Sequence, residues 1–193
     1  MRPIRFADLA ITPWRNGAGR KADIATGEGW LAGFAFLDQD APFSDYADHD
    51  RTITLIDGPG FELEIAGQGV IRVDQPYVPH RFDGGASTTC RLLGGPCRVL
   101  NAMTARGDHA HGVEVSRGTE FRLHESAVEV ALLVVLQGAA TVSAGHRAID
   151  LGMLDTVWRD TPVGIAASVD AVFCQIEITN RKGAGLPRRL NTV

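Results

Sequence analysis

The chain has 193 residues, 45% hydrophobic and 22% charged, with a net charge of −4. This is a globular composition, long enough for one large domain or two small packed ones, and its scattered Arg and Lys exclude nucleic acid as a main partner. The longest apolar run, Val130–Leu136, is far short of the ~20 residues a membrane-spanning helix requires. No extended apolar stretch follows Met1-Arg2, so a cytoplasmic protein without membrane contact is expected.

Glycine and proline punctuate the chain and leave segments of about five to eight residues rich in Val, Ile, Leu, Phe and Thr, the pattern of an all-β sandwich or barrel. Thr12–Gly19 reads as an irregular loop, with Asn16-Gly17 and Gly17-Ala18-Gly19 favouring turns and close backbone approach. A phosphate loop is the sharper alternative there, but no preceding strand, following helix or Lys-Ser/Thr completes it. Strands are expected at Trp30–Leu37, Thr52–Ile56, Phe61–Ile65, Val70–Asp74, Thr88–Leu93, Arg98–Met103, Val128–Leu136, Thr141–Ala144, Met153–Trp158 and Ala171–Ile178. The clearest alternation is Phe61-Glu62-Leu63-Glu64-Ile65, whose two carboxylates read as a solvated strand face. Cys90, Cys97 and Cys174 lack the paired spacing of a zinc site and read as buried thiols.

A faint internal repeat lays Arg51–Thr104 over Ala131–Thr179. Each copy opens on an apolar strand ending in a glycine turn, Leu55-Ile56-Asp57-Gly58 and Val135-Leu136-Gln137-Gly138, and closes on a strand ending in Thr. Duplication of a β unit accounts for this, with a first half over residues 1–107 and a second over 108–193, packed against each other.

Candidate functional residues follow from strand parity. Arg51 shares a face with Ile53 and Leu55, which places a guanidinium at the mouth of the first half. There it could hold a carboxylate through paired hydrogen bonds, or form an internal ion pair with Asp48 or Asp50; both readings stand. Asn101 alternates with Val99 and Met103 and needs partners for a buried amide, either loop backbone or a ligand. Trp14, Asn16 and Phe43 lie on turn-rich loops and suit either a small-molecule pocket or loop anchoring. His109-Ala110-His111 with Glu114 resembles a metal motif, but the pair reads as part of the connector between the halves, with no partner histidine on a matching strand. His49, His80, His124 and His146 are isolated, and no Ser-His-Asp or Cys-His set emerges.

Several segments together resemble the HutD/Ves family: TPWRNGAG at Thr12–Gly19, Trp30, APFSDY at Ala41–Tyr46, DRTITLIDGPGFEL at Asp50–Leu63, RFDGG at Arg81–Gly85 and LLGGPCRVLNAMTARG at Leu92–Gly107. The sequence departs from the family's usual NGGG at Asn16-Gly17-Ala18-Gly19, and carries Lys21 and Asp23 where Thr and Glu are usual. The resemblance implies a bicupin, that is, duplicated cupin-like double-stranded β-helix barrels. It also implies an accessory or regulatory role in histidine utilisation and a ligand such as urocanate or an N-formyl or N-formimino glutamate.

The combined expectation is a non-catalytic protein with no cofactor and no metal that binds a small acidic metabolite. Arg51 would clamp a carboxylate, Asn101 would bond a second polar group, Trp14 and Phe43 would form an apolar wall, and Arg106 and Asn16 would support. The rival is a metal-independent isomerase or hydrolase using His80 and Asp23. A third reading is an interaction protein whose interior is filled by Trp14 or Phe82. A homodimer is compatible with exposed strand edges, though no sequence feature fixes it.

Overall fold

The computed structural model describes residues 1–14, 17–123 and 128–181; Asn16 and His124 therefore lie outside the described residues. The first run of strands is β1 (Arg2–Ile4), β2 (Thr12–Pro13), β3 (Gly19–Gly27), β4 (Trp30–Leu37), β5 (Ala41–Pro42), β6 (His49–Asp57), β7 (Phe61–Ile65), β8 (Gly69–Val73), β9 (Pro79–Asp83), β10 (Thr88–Leu92) and β11 (Cys97–Ala105). Then come β12 (His109–Arg117), β13 (Glu120–Leu123), β14 (Val130–Gln137), β15 (Ala140–Ala144), β16 (Arg147–Leu151), β17 (Thr156–Arg159), β18 (Val163–Ala167) and β19 (Val172–Asn180). One 3-10 turn, Phe6–Asp8, is the helical element among the described residues, and none of these residues forms a helix long and apolar enough to cross a membrane.

These strands form four stacked sheets rather than closed barrels. A six-stranded sheet in the order β2-β3-β4-β11-β6-β9 faces a four-stranded sheet β5-β10-β7-β8, and a five-stranded sheet β1-β17-β14-β19-β12 faces a four-stranded sheet β13-β18-β15-β16. The two larger sheets also pack on each other. Every central strand is consequently buried on both faces, which explains the near-continuous apolar runs in β4 and β14. In β4, Ala32, Phe34 and Phe36 enter the middle core while Ala35 and Leu37 enter the first outer core. In β14, Leu132, Val134 and Leu136 face the middle, and Leu133 and Val135 the other outer core.

The repeat seen in the sequence is a repeat of pairing register. β6 and β11 pair with one irregularity beside Arg98/Val99, which leaves Ile56 as the extra residue; β14 and β19 do the same beside Val135, leaving Leu136 extra. Asn101 lies opposite Ile53 and Gln175 opposite Leu133, so Asn101 and Gln175 are counterparts. This is one residue away from the overlay of Thr104 on Thr179, because facing parity, not the terminal threonine, sets the match. The chain also crosses between the sheet pairs: β1 pairs with β17, and Arg5 continues the attachment by bonding Asp155 at 2.7 Å. The three cysteines are free and buried.

The segment from His109 is not a connector. It is a nine-residue strand pairing along its whole length with β19. His109 and His111 are buried on one face, while Glu114 is exposed on the other, so the three cannot converge on a metal. Among the described residues no group of three or more His, Cys, Asp or Glu is placed to hold one. His111 instead ties the two large sheets together. One ring nitrogen donates to a threonine hydroxyl and the other accepts from a second: Nε2 meets Thr52 Oγ1 at 2.8 Å and Nδ1 meets Thr104 Oγ1 at 2.7 Å.

Burial, reinforced by Arg81, pushes the His111 pKa down to about 4, with Asp50 opposing. The unfolded chain therefore takes up a proton near pH 6.5 that the folded one refuses, so stability is full above that value and falls as acidity approaches the folded pKa. Urea melts should show a loss of about 2 kcal/mol from this group between pH 7 and pH 5, and His111→Gln should flatten that part of the profile.

Candidate anion-binding cavity

The cavity lies against the inner face of the six-stranded sheet and has a volume of about 380 Å³, within the range of roughly 300–1,000 Å³ usual for small-ligand sites. Its lining comes from the β2–β3 hairpin (Pro13, Trp14, Lys21, Asp23), from β4 (Leu31, Gly33, Phe34, Ala35), from the loop after β5 (Phe43, Ser44, Asp45, Tyr46), and from Arg51, Asn101 and Met103.

Arg51 is the innermost charge. Ile53 and Leu55 share its face of β6 and are wholly buried, so the strand carries the guanidinium inward with them and leaves it only 6% exposed. Its plane lies over Phe43, with 4.5 Å from the guanidinium carbon to the ring centroid, and near Phe82 at 5.5 Å. Nε donates to Asn101 Oδ1 at 3.2 Å. The Arg51 side chain makes no other hydrogen bond and no ion pair among the described residues. Asp50 is turned away and held by Arg81 and Arg106, and Asp48 forms no pair with Arg51. The ion-pair alternative for Arg51 therefore has no counterpart in the structure.

Burial lowers the Arg51 pKa to about 10, with the Tyr46 hydroxyl and Cys90 thiol opposing, so the side chain stays cationic at neutral pH. Keeping it charged costs about 3 kcal/mol relative to an exposed arginine. Rings stacked on a guanidinium return part of this.

Asn101, 4% exposed, has its oxygen turned to Arg51, which leaves its amide N–H groups without a partner among the described residues. Trp14 and Phe43 stand edge to face at 5.8 Å and 84° and form the apolar wall. Gly19 permits this: a Cβ there would lie 2.5 Å from the Phe36 carbonyl oxygen and 3.1 Å from the Trp14 ring. Phe82 backs Arg51 without filling the cavity.

Arg106 lies elsewhere. Its guanidinium bonds Asp50 at 2.9 Å, the His49 carbonyl at 2.9 Å, and Asp83, and it is not part of the cavity wall. These three acceptors account for its position better than a ligand does. His80, on β9, also lies outside the wall; it is partly buried and its pKa is lowered by that burial. Asp23 does line the cavity, but Lys21 Nζ bonds it at 2.7 Å. Lys21 and Tyr46 are lining residues that reading the sequence for functional groups passed over. The signal for Lys21 was its i, i+2 spacing from Asp23, legible only once Gly19–Gly27 is recognised as a strand.

Two facing sheets enclosing a cavity at one end, repeated once along the chain, define a cupin-like protein. Solved structures share this fold across most of the chain. Among them is a cupin barrel protein of Leptotrichia buccalis, at a TM-score of 0.59 and 12% identity over 93% of this chain and 96% of that one. The HutD family model matches residues 6–173, and the chain belongs to the HutD family. It is 30% identical over 188 residues, covering 92% of this chain and 97% of the relative, to an uncharacterised 21.2 kDa protein of Pseudomonas putida from the region 3′ of hutC. HutD of Pseudomonas fluorescens SBW25 superposes at a TM-score of 0.79 with 25% identity, over 93% of this chain and 98% of that one. A conserved protein of unknown function from Pseudomonas aeruginosa PAO1 superposes at 0.84 with 24% identity over the same shares.

Arg51→Met tests whether the guanidinium is structural. In buffer free of carboxylates the variant should be as stable as the wild type or more stable by about 1 kcal/mol, the gain from removing a desolvated charge exceeding the lost ring contacts. A structural arginine would instead lose several kcal/mol in the same urea melt.

Proposed function

We propose that this protein binds a small carboxylate metabolite in the first-half cavity and serves histidine utilisation in an accessory or regulatory capacity, not as a catalyst. The observation that carries the binding reading is the buried Arg51 side chain, which lines the cavity and forms no ion pair with an acid among the described residues. A carboxylate is planar and bidentate and matches that fork. The Asn101 amide beside it supplies a further donor to the same anion. Because the cation is already stripped of water and stacked, an arriving anion encounters a preorganised partner.

The pathway half of the proposal is supported by the family and by the P. putida relative from the hutC region. The candidate ligands are urocanate and the N-formyl or N-formimino glutamates, each carrying at least one carboxylate. Among the described lining residues there is no histidine and Asp23 is paired with Lys21, which supports binding over turnover; Asp45 is the other carboxylate of the wall.

Differential scanning fluorimetry with these acids checks the proposal. A ligand at 100 times its dissociation constant stabilises by about 2.7 kcal/mol, so wild-type protein should melt several degrees higher. Arg51→Met should abolish the shift, and Asn101→Ala should weaken affinity about tenfold. An equal shift in Arg51→Met, or none in the wild type with any of the acids, would refute the reading.

A further inference from the structure

Opposite the Arg51–Asn101 end, the cavity wall is β3. Lys21 and Asp23 are two apart on that strand and so share its inner face, and both line the cavity. Lys21 Nζ donates to Asp23 Oδ2 at 2.7 Å, and each side chain keeps over a third of its surface accessible, 39% and 34%. The pair cancels its own charge. It still offers the remaining ammonium N–H groups as donors and Asp23 Oδ1 as an acceptor, side by side.

Strand register fixes where this pair stands relative to the cation. Asp23 lies opposite Gly33, and Gly33 opposite Asn101, so the three residues form one row across three neighbouring strands. Two strand spacings separate the outer members, about 10 Å. Gly33 leaves the floor between them bare. A Cβ there would come within 2.9 Å of the Ala22 carbonyl oxygen and 3.4 Å of Asp23 Oδ1, crowding the acceptor. The two polar ends are bridged by Leu31, Met103 and the Trp14–Phe43 wall, which suit a flat apolar spacer.

We propose that the cavity selects a monocarboxylic acid whose far end is a neutral, planar group carrying both a hydrogen-bond donor and an acceptor, such as an azole ring or a primary amide. The carboxylate sits on Arg51 and Asn101, and the far end is read by Lys21 and Asp23. This rests on the anion-binding reading of Arg51 and goes beyond it by assigning the second half of the ligand. A second carboxylate gains no net charge attraction from a self-neutralised pair. A purely apolar far end leaves the donor and acceptor without the partners they lose from water.

Isothermal titration with two acids that share an acrylate tests this. Urocanate carries an azole ring with donor and acceptor; 3-(2-thienyl)acrylate carries a five-membered ring with neither. Wild type should bind urocanate at least about tenfold more tightly. Lys21→Met combined with Asp23→Leu leaves the net charge of the cavity unchanged, and it should bring the ratio to within about threefold while barely altering the affinity of the thienyl acid. A wild-type ratio near one, or a double variant that weakens both acids equally, overturns the selectivity while the Arg51 site stands. Failure of wild type to bind either acid overturns this inference; the Arg51 reading falls with it only if the N-formyl and N-formimino glutamates also fail to shift the wild-type melt. The wild-type ratio requires no variant, so the test survives a double variant that does not fold.

Discussion

The central strands of this molecule have no solvent face. In a sheet packed on one side, a residue that does not suit the core can be turned outward by parity; in β4, β6, β11, β14 and β19 both parities are interior, and each side chain must suit one of two cores. A slip of one residue would exchange the two sets, so register is held tightly. The extra residue Ile56 and its equivalent Leu136 occupy the same point of the two paired ladders, both sending an aliphatic side chain to the middle core. That constraint also accounts for the position of Arg51. Its neighbour Thr52 is held on the opposite face by His111, and Ile53 and Leu55 anchor its own face. The guanidinium cannot leave the interior without dragging the strand out of both cores.

The duplicated architecture makes the asymmetry of charge informative. Ladder register sets Ala131 where the first copy has Arg51, and Arg159 where it has Phe82: Arg51 lies opposite Phe82 and Met103, Ala131 opposite Arg159 and Glu177. Asn101 turns its oxygen to a cation, whereas its counterpart Gln175 donates from Nε2 to Glu177 at 2.7 Å, and Arg159 reaches the same Glu177 at 3.5 Å. The second copy therefore places an acid beside its buried arginine. The first has no acid there; a cavity adjoins the arginine in both copies, about 380 Å³ beside Arg51 and about 320 Å³ beside Arg159 and Ala131.

Much of the fold was legible because β-branched and aromatic residues mark strands buried on two faces: Trp30–Leu37 and Phe61–Ile65 have the bounds read from sequence. The strands that escaped reading carry polar residues inward. In β3 only Ala22 and Ile24 of the alternating set are apolar and buried after the first residue, and in β12 two histidines fill core positions that pattern reading reserves for aliphatics. Leu154, with φ of 69°, belongs to a turn before β17, although its apolar character extended the expected strand back to Met153. At the site, strand parity placed Arg51 and Asn101 on inward faces, and both line the cavity. The ion pairs of Arg106 could not be read, because Asp50 and Asp83 are distant in sequence and meet it only through the pairing of β6 with β9. Lys21 was visible only as a departure from a family pattern, and Asp23 as that and as an acid–base group of the rival reading; their pairing depends on a strand and a register that the sequence conceals.

The cavity wall is polar at both ends and carries no histidine among the described residues. Proton transfer at neutral pH needs a group titrating near that range within about 3 Å of the reacting atom, and the histidine nearest this description, His80, is outside the wall. Besides Ser44, Asp45 and Tyr46 of the loop after β5, three groups stand inside: a guanidinium that stays charged, an amide that does not titrate, and a carboxylate bound to an ammonium. Each is fixed in charge and direction before a ligand arrives, Arg51 by two aromatic rings and Asn101, Asp23 by Lys21. The desolvation of Arg51 is met when the chain folds, so an anion that reaches it loses only its own water. Under the proposed function, a site arranged in this way discriminates by shape and by the position of donors and acceptors.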